Sequence, residues 1–381
     1  MTKKILYISG TRADYGLMRS VLFRINRHPG MELHIAATGM HLMPEFGSTI
    51  DEIYRDGFTC HSVDATYMQD TKESMALFIG RFIQECVHLT EDLKPDFILL
   101  LGDRGEMLGG AVVGTYLGIP VLHLHGGEIT GTVDEIARHA ITKMSHIHLP
   151  ATEESAQRII KMGEEPDRVH VVGAPGLDQV LETEFLSPEE ISKRYNLDLS
   201  RPVILVVLHP VTLDSGDPAS QMRRTMEAIR ELSEQSIVIY PNADAGGRAM
   251  IEEIKTFERC QNIQEFPSIE HRDFLSLLKI SSVIIGNSSS GIIEAPSFGV
   301  PAINIGPRQK GRQRGANVID CGYDKHEIIS ATRHALYDKE YRARVLRAKN
   351  PYGDGKTGER VIHILEQVRV TPDLIQKKMT Y

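Results

Sequence analysis

A serine-rich turn between two glycines is the segment of the chain best suited to bind an anion. Residues Gly286–Gly291 read GNSSSG, and they separate the apolar run Val283–Ile285 from a helical pattern over Ile292–Phe298. Glycines allow close approach of the backbone, hydroxyls donate hydrogen bonds, and a helix start supplies free N–H groups. One serine is enough to cap a helix, so three favour a bound anion such as phosphate over a cap alone. The predicted ligands are Ser288, Ser289 and Ser290.

Three further residues suit the remainder of a phosphorylated ligand. Glu294 follows the turn, and its carboxylate can accept hydrogen bonds from a ribose diol. The alternative is that Glu294 only stabilises the helix, because its negative charge lies near the positive end of the helix dipole. Arg308 follows the predicted strand Ala302–Ile305 and could contact a phosphate. Arg12 lies in the loop after the first strand and could clamp a diphosphate, or it could pair with Asp14 at the surface. Asp14 is itself a further candidate for substrate binding.

Acidic residues and histidines follow the apolar strands of the amino-terminal half. Asp103 and Arg104 come after one strand, and His125 and Glu128 come after the next. Asp134 opens a helix that also carries Arg138 and His139. Carboxylates at strand ends indicate acid–base or cation-stabilising chemistry, although Asp103 or Asp134 could simply cap a helix and His139 is expected to be an ordinary helix residue. Asp103, His125 and Glu128 could also be drawn as a metal cluster, but their spacing matches no standard metal site.

The carboxyl-terminal half adds polar residues at corresponding positions. His209 follows an apolar strand and begins the sequence HPVT. Asn242 and Asp244 follow the next strand, and His271 comes shortly after Phe266-Pro267, where a nucleobase could lie. We therefore predict that a second set of ligand-binding groups faces the first.

Short apolar runs alternate with amphipathic stretches along most of the chain, which predicts βαβ units, parallel sheets and an α/β fold with two Rossmann-like domains facing a cleft. Residues 1–175 and 176–356 are the predicted domains, and residues 357–381 are expected to return to the first. The loop Gly10–Gly16 is not GxGxxG, and no acidic residue ends the second strand, so a nicotinamide cofactor is not expected. Strands are predicted at Ile5–Ser9, Glu32–Thr38, Phe97–Leu101, Val121–His125, Ile147–Leu149, Val169–Val172, Val203–Leu208, Ile237–Tyr240, Ile263–Glu265, Val283–Ile285 and Ala302–Ile305.

Composition narrows the class of protein. The 381 residues include 43 Lys and Arg against 51 Asp and Glu, a net charge of −8, which argues against nucleic-acid or anionic-membrane partners. We expect neither a signal peptide nor a membrane span, because the chain has no apolar stretch of about 20 residues. The four cysteines are scattered and read as reduced thiols, so we expect a cytoplasmic location.

Taken in order, these motifs resemble the UDP-N-acetylglucosamine 2-epimerase family, in particular its hydrolysing branch. The shared segments include the loop after the first strand, the GGE of 126–128, the run GTVDEIARHAITK of 131–143 and the serine turn. HPVT at 209–212 is typical of the hydrolysing branch, and PNADAG at 241–246 and NPYGDG at 350–355 complete the set. The resemblance implies a glycosyltransferase-B-like fold, no cofactor or metal, and a homodimer or homotetramer.

The resemblance implies UDP elimination from UDP-N-acetylglucosamine, followed by water addition to the glycal to yield N-acetylmannosamine for a sialic-acid-type pathway. It places Asp103, Asp134 and His209 at the reacting sugar. It also implies a carboxylate at the position of His125, so either Glu128 supplies that charge or the substrate differs. The alternatives are a diacetamido-trideoxyhexose on UDP or GDP, a glycosyltransferase of the same fold, or a non-catalytic nucleotide-sugar sensor.

Overall fold

Two six-stranded parallel sheets form the framework of the protein. The computed structural model describes residues 2–130, 133–211 and 216–380; the motif residues Gly131, Thr132 and Thr212 lie outside them. The first sheet has the order β3-β2-β1-β4-β5-β6. Its strands are β1 (Lys3–Ser9), β2 (Met31–Ala37), β3 (Thr59–Ser62), β4 (Phe97–Leu101), β5 (Val121–Leu124) and β6 (Ile147–Leu149).

The second sheet has the order β12-β11-β10-β7-β8-β9, and all of its pairings are parallel. Together the two sheets confirm the α/β class with two Rossmann-like sheets. The strands of the second sheet are β7 (Val203–Val207), β8 (Gln235–Ile239), β9 (Ile263–Phe266), β10 (Val283–Gly286), β11 (Ala302–Ile305) and β12 (Val318–Cys321).

Helices connect successive strands and cover the sheets. Those around the first sheet are α1 (Arg12–Arg27), α2 (Ile50–Arg55), α3 (Lys72–Leu93), α4 (Gly105–Leu117), α5 (Val133–Met144), α6 (Glu153–Lys161) and α7 (Gly176–Glu182). The others are α8 (Pro188–Tyr195), α9 (Pro218–Leu232), α10 (Gly247–Lys255), α11 (His271–Ile280), α12 (Ser290–Ile293), α13 (Lys325–Tyr337), α14 (Lys339–Leu346), α15 (Thr357–Gln367) and α16 (Pro372–Ile375).

The central strands are apolar on both faces because helices cover both sides of each sheet. All five residues of β4 and of β7 are buried. Strand order reverses between β1 and β4 in the first sheet, and between β7 and β10 in the second. Ligands of such sheets bind beyond the carboxyl ends of the strands at these reversals, which is where the polar loops lie.

Three sequence-based predictions of local structure were wrong. The edge strands β3 and β12 were missed, because both contain exposed and polar positions that break the apolar pattern. The segment Val169–Val172 is not a strand; only Val169 bridges to the first sheet, at His148. The helix after the serine turn is a single α-helical turn, α12, continued by a 3₁₀ turn at Ala295–Phe298.

The carboxyl-terminal helix α15 packs on the first sheet's side of the molecule. Its Val361 and Leu365 belong to the core that contains the buried face of α1. The Asp178 carboxylate accepts hydrogen bonds from the backbone of Thr357 at 2.8 Å and of Gly358 at 2.6 Å. The domain bounds 1–175, 176–356 and 357–381 stay a prediction; the packing of Val361 and Leu365 with the buried face of α1 supports the return of the last segment to the first domain.

No helix within the described ranges is both long and apolar enough to cross a membrane.

Candidate functional site

A cleft of about 280 Å³ separates the carboxyl ends of the two sheets and is lined from both sides. Thirteen of the sixteen predicted site residues line it. The other three, Glu128, Asp244 and Glu294, are buried and do not line it. The thirteen are Arg12, Asp14, Asp103, Arg104, His125, Asp134, His209, Asn242, His271, Ser288, Ser289, Ser290 and Arg308.

The serine turn is fixed to the end of the neighbouring strand β7. Gly286 has φ +136°, and a Cβ atom there would lie 2.0 Å from the carbonyl oxygen of Val207, so only glycine fits. The Asn287 side chain accepts from the backbone N–H of His209 at 2.8 Å and donates to its carbonyl at 2.9 Å. The three serines that follow are therefore presented to the cleft by a rigid turn. Because α12 is so short, the turn offers an anion hydroxyl and backbone donors rather than the dipole of a long helix.

Arginines concentrate positive charge beside this turn. Arg308 donates to the carbonyl of Asn287 at 3.2 Å, and burial together with Arg312 and Arg104 lowers its pKa. Arg12 donates to Ser268 at 2.7 Å and forms an ion pair with Glu52. Like charges held this close together favour a multiply charged anion between them.

Asp14 has a structural role in the loop that carries Arg12. Its carboxylate accepts from the backbone of Thr11 at 2.7 Å and of Gly10 at 3.1 Å, and Thr11 in turn caps the start of α1. The alternative in which Arg12 pairs with Asp14 is wrong, because the partner of Arg12 is Glu52. Asp14 shapes the loop, and its carboxylate oxygens are already used within it.

His125 and Glu128 form a buried dyad on the first side of the cleft. His125 Nδ1 donates to Glu128 Oε1 at 2.7 Å. Burial opposes ionisation of Glu128, but Arg312 and His125 outweigh it and lower its pKa to about 2. With Nδ1–H committed to a carboxylate, the neutral imidazole has its lone pair on Nε2. His125 also has φ +60°, a left-handed backbone that is rare outside glycine and typical of strained functional positions.

Asp103 and Asp134 line the cleft beside this dyad. Arg138, buried on α5, forms an ion pair with Asp103 and donates to the carbonyl of Glu128 at 2.9 Å. Burial, followed by Arg312 and Arg308, lowers the pKa of Arg138 well below its usual value. Asp134 lies one helical turn before Arg138 on α5, near enough to Arg308 and Arg104 to affect the pKa of both. The two carboxylates therefore face the arginine-rich part of the cleft.

His209 is fixed as a hydrogen-bond donor. Its Nδ1 accepts from the backbone N–H of Asn242 at 3.1 Å, and burial lowers its pKa well below the usual value, with Arg308 and Arg104 adding to the effect. The neutral ring therefore carries its proton on Nε2. Asn242 donates to Asp244 at 2.6 Å, and Asp244 accepts from Arg104 at 3.4 Å, so this loop connects the two sides of the cleft.

His271 and Glu294 occupy the other end of the site. A Cβ atom on Gly16 would lie 2.6 Å from His271 Nδ1, so the glycine lets α1 approach the ring. Burial, then Arg19, lowers the pKa of His271 to about 4, which keeps the ring neutral. Burial raises the pKa of Glu294 to about 7, although His125 and the Ser290 hydroxyl lower it.

Sequence reasoning missed two residues of this site, Arg138 and Arg312. Arg138 lies four positions after Asp134, so helical spacing alone places both on one face of α5 and could have identified it. Arg312 forms an ion pair with Glu128, which is 184 positions earlier in the chain. No local pattern connects two residues of different sheets.

The suggested metal cluster of Asp103, His125 and Glu128 is not supported. The Glu128 carboxylate is shared between His125 and Arg312, and Asp103 is paired with Arg138. Across the described ranges, no group of three or more His, Cys, Asp or Glu side chains could hold a metal ion.

Known proteins resemble this chain along most of its length. The model of the UDP-N-acetylglucosamine 2-epimerase family matches residues 24–366. The chain is 39% identical over 382 residues to the hydrolysing UDP-N,N′-diacetylbacillosamine 2-epimerase of Legionella pneumophila, covering 100% of both chains. It is 38% identical over 334 residues to the UDP-N-acetylglucosamine 2-epimerase of Neisseria meningitidis, covering 87% of each.

Among solved structures, UDP-N-acetylglucosamine 2-epimerase from Neisseria meningitidis bound to UDP-N-acetylglucosamine has the same fold. It gives a TM-score of 0.80 at 20% identity, over 96% of this chain and 100% of the other. The family match, the relatives and the ordered motifs agree: the chain belongs to the UDP-N-acetylglucosamine 2-epimerase family, in its hydrolysing branch.

Proposed function

We propose that this protein is a hydrolysing 2-epimerase that releases UDP from a UDP-linked 2-acetamido sugar and frees the epimerised sugar. The observation that carries the proposal is the opposition of two walls across one cleft. The serine turn, Arg308 and the donor His209 stand on one wall, and the His125–Glu128 dyad stands on the other. Donors for a departing diphosphate therefore face a base for a carbon-bound proton.

Departure of the leaving group must run ahead of proton loss, because no carbonyl acidifies the proton on carbon-2 of the sugar. Ser288, Ser289 and Arg308 stabilise the negative charge that develops on the diphosphate. His209 donates from Nε2, since its Nδ1 already accepts from Asn242. This tautomer makes His209 a hydrogen-bond donor to the leaving group and rules it out as the base in its neutral form.

The His125–Glu128 dyad then removes the proton from carbon-2. Nε2 of His125 holds the available lone pair, and ionised Glu128 stabilises the imidazolium that forms. Asp103 offsets positive charge on the sugar ring as the bond to UDP breaks. The products of this step are UDP and a glycal.

Water addition completes the reaction. As the hydroxyl of water adds to carbon-1 of the glycal, a carboxylate takes the proton that the water loses. A proton then passes to carbon-2 from the face opposite to the one deprotonated, which inverts that centre, and the proton on His125 is released to solvent. We assign the delivery of this proton to Asp134, which lines the cleft on α5 rather than beside the dyad's strand. Atoms balance: one water enters, and UDP and one free sugar leave.

Two sugars are candidates for the substrate. The Legionella relative, identical at 39% over the whole chain, favours UDP-N,N′-diacetylbacillosamine. The family description and the Neisseria relative favour UDP-N-acetylglucosamine, with N-acetylmannosamine as the product for sialic-acid synthesis. The two differ at carbon-4, where an acetamido group replaces a hydroxyl, and at carbon-6, where the hydroxyl is lost.

Turnover of both nucleotide sugars, followed by mass spectrometry and NMR of the sugar, tests the proposal. We expect one of the two nucleotide sugars to yield UDP and a free sugar inverted at carbon-2. Its kcat/KM should be at least about tenfold higher than that of the other, because a site that hydrogen-bonds one substituent discriminates against a sugar that lacks it. UDP release with an unaltered carbon-2 would contradict the epimerase. Turnover only after an acceptor is added would show a glycosyltransferase, and binding without turnover would show a sensor.

We further propose a cytoplasmic homodimer or homotetramer. The described helices include none that spans a membrane, and the four cysteines are free thiols. Light scattering on the purified protein measures the assembly state directly; a monomeric mass at micromolar concentration would contradict it.

A further inference from the structure

One ion pair in the cleft joins the second sheet to the catalytic dyad of the first. Arg312 follows β11 and contacts Glu128, which follows β5. The two side chains are only 8% and 3% exposed. Arg312 Nη1 also donates to Gln309 Oε1 at 2.9 Å, and Gln309 donates to the carbonyl of Asn287 in the serine turn. The same segment thus contacts both the predicted phosphate site and the base.

We propose that Arg312 is a positioning residue that holds Glu128 ionised and oriented toward His125, so that the base is competent only when the two sides of the cleft meet. This inference rests on the proposed function, since it assigns the base to His125. Arg312 acts through Glu128 and does not itself remove or deliver a proton.

Few groups other than Arg312 stabilise the ionised form of Glu128. His125 donates to one oxygen, Arg312 pairs with the other, and Arg138 binds only the backbone carbonyl. Tyr352 and His123 also lie near enough to interact with the carboxylate. Burial raises the pKa of Glu128, and Arg312 is the largest influence that lowers it. Without that guanidinium, burial dominates and the pKa rises.

A separation of the two sheets would remove Arg312 from Glu128. The carboxylate would lose its main compensating charge while His125 remained beside it. Glu128 would then take up a proton in the open protein and could not stabilise an imidazolium on His125; it would regain its charge on closure, when the reacting sugar is shielded from water. Proton abstraction is thereby restricted to the closed complex.

A rival role for Arg312 is direct contact with the diphosphate, because Arg312 also lines the cleft. The two roles predict different kinetics. A phosphate ligand affects UDP affinity and KM, whereas a residue that acts through Glu128 affects kcat and the acidic limb of its pH profile.

The test compares three variants with the wild type. Arg312→Met removes the positive charge, and Arg312→Lys keeps a positive charge but lacks the planar guanidinium group. Arg248→Met is the matched control: Arg248 also crosses between the two halves, pairing with Glu45 at 2.9 Å and with the Tyr67 carbonyl at 3.2 Å, but it does not line the cleft.

For Arg312→Met we expect kcat to fall by roughly 10²-fold, within the range for loss of acid–base catalysis, while the Kd for UDP stays close to that of the wild type. The acidic limb of kcat should move to higher pH, because Glu128 becomes protonated there. Arg312→Lys should recover part of both changes, and Arg248→Met should show neither. A weakened UDP affinity with an unshifted pH profile would overturn the proposal in favour of the phosphate contact.

A measurement that needs no turnover separates this inference from the proposed function. In protein labelled with ¹³C at glutamate carboxyl groups, with the signal assigned by Glu128→Gln, the wild-type Glu128 should stay ionised throughout the pH range in which the protein is folded. In Arg312→Met it should titrate within that range. If the wild type turns over no nucleotide sugar yet this shift is seen, the proposed reaction fails and the electrostatic coupling stands. If Glu128 titrates identically in both proteins, the coupling fails.

Discussion

The two walls of the cleft differ in what their polar groups are free to do. On the wall after β10 and β11, the serine hydroxyls and Arg308 face the cleft as donors, supported by backbone contacts. On the wall after β4 and β5, Asp103 and Glu128 are already engaged, the first with Arg138 and the second with His125 and Arg312. The groups after β10 and β11 can bind a charged ligand, whereas the contacts after β4 and β5 determine the protonation states of the side chains there.

Under the proposed function, this contrast separates substrate binding from chemistry in space. Donors that face the cleft lower the energy of any diphosphate, bound or departing, so they contribute to affinity as well as rate. Carboxylates paired inside the protein contribute little to substrate affinity, because their interactions are made before the substrate arrives. Substitutions on the two walls should therefore produce different kinetic signatures.

The largest effect is expected from loss of the base. His125→Asn should lower kcat by roughly 10²–10⁴-fold and leave the Kd for UDP nearly unchanged, because the lone pair on Nε2 is removed. Asparagine is chosen since it tolerates the left-handed backbone at this position. Steady-state kinetics and calorimetric UDP binding measure the two quantities. His139→Asn is the control: His139 is on the same side of the molecule but does not line the cleft, so this variant should behave like the wild type. A kcat for His125→Asn within tenfold of the wild type would contradict the assignment of His125 as the base.

Glu294 is a buried carboxylate just after the serine turn, and its ionisation should affect the stability of the fold. Its pKa rises from an unfolded value of 4.5 to about 7 on folding, so the folded state binds the proton more tightly. The stability this provides is complete below pH 4.5 and is lost as the pH rises through 7. Ionised Glu294 therefore costs up to about 3 kcal/mol above pH 7.

Glu294→Gln should accordingly raise the unfolding free energy at pH 8 by as much as about 3 kcal/mol and by little at pH 5. UDP affinity should fall, because the glutamine offers the ribose one acceptor instead of two. Denaturant unfolding at both pH values measures the first effect, and calorimetry measures the second. A gain in stability that is equal at pH 5 and pH 8 would rule out ionisation as its source.

A smaller effect is expected from the serine turn. The double variant Ser288→Ala, Ser289→Ala should weaken UDP binding by about 10–100-fold. This is the effect of losing about one hydrogen bond to a charged group, a net contribution of roughly 1.5–3 kcal/mol, while the backbone N–H donors of the turn remain. Ser282→Ala, at the other end of β10, is the control and should bind UDP normally. Unchanged affinity in the double variant would show that the turn is only a helix cap.

The smallest effect concerns a contact that joins the two halves away from the cleft. Asp70 accepts from the backbone N–H of Gly246 at 2.7 Å and of Ala249 at 3.3 Å, at the start of α10. Asp70→Asn should raise KM by about two- to fivefold, in line with a capping contribution near 0.5–1 kcal/mol, and should leave kcat almost unchanged. A proportional fall in kcat would indicate that this contact, too, reaches the chemistry.

The sequence predicted much of the framework because strand cores and loop positions follow from local pattern. Apolar runs located ten of the twelve strands, and polar residues after them located most of the cleft. What local pattern could not supply was the pairing of side chains across the molecule. Arg312 has no sequence relation to Glu128, and Asp14 resembles a ligand until its hydrogen bonds within the loop are seen. The left-handed backbone of His125 could not be foreseen either, because residues other than glycine rarely adopt it.

The central claim, that a base on one wall and a leaving-group site on the other carry out elimination followed by hydration, is tested most directly by isotopes. The protein is incubated with UDP-N-acetylglucosamine or UDP-N,N′-diacetylbacillosamine in deuterated water enriched in ¹⁸O, and the free sugar is examined by NMR and mass spectrometry. We expect an inverted sugar that carries deuterium at carbon-2 and solvent oxygen at carbon-1. A released sugar that retains the original proton at carbon-2 would contradict it.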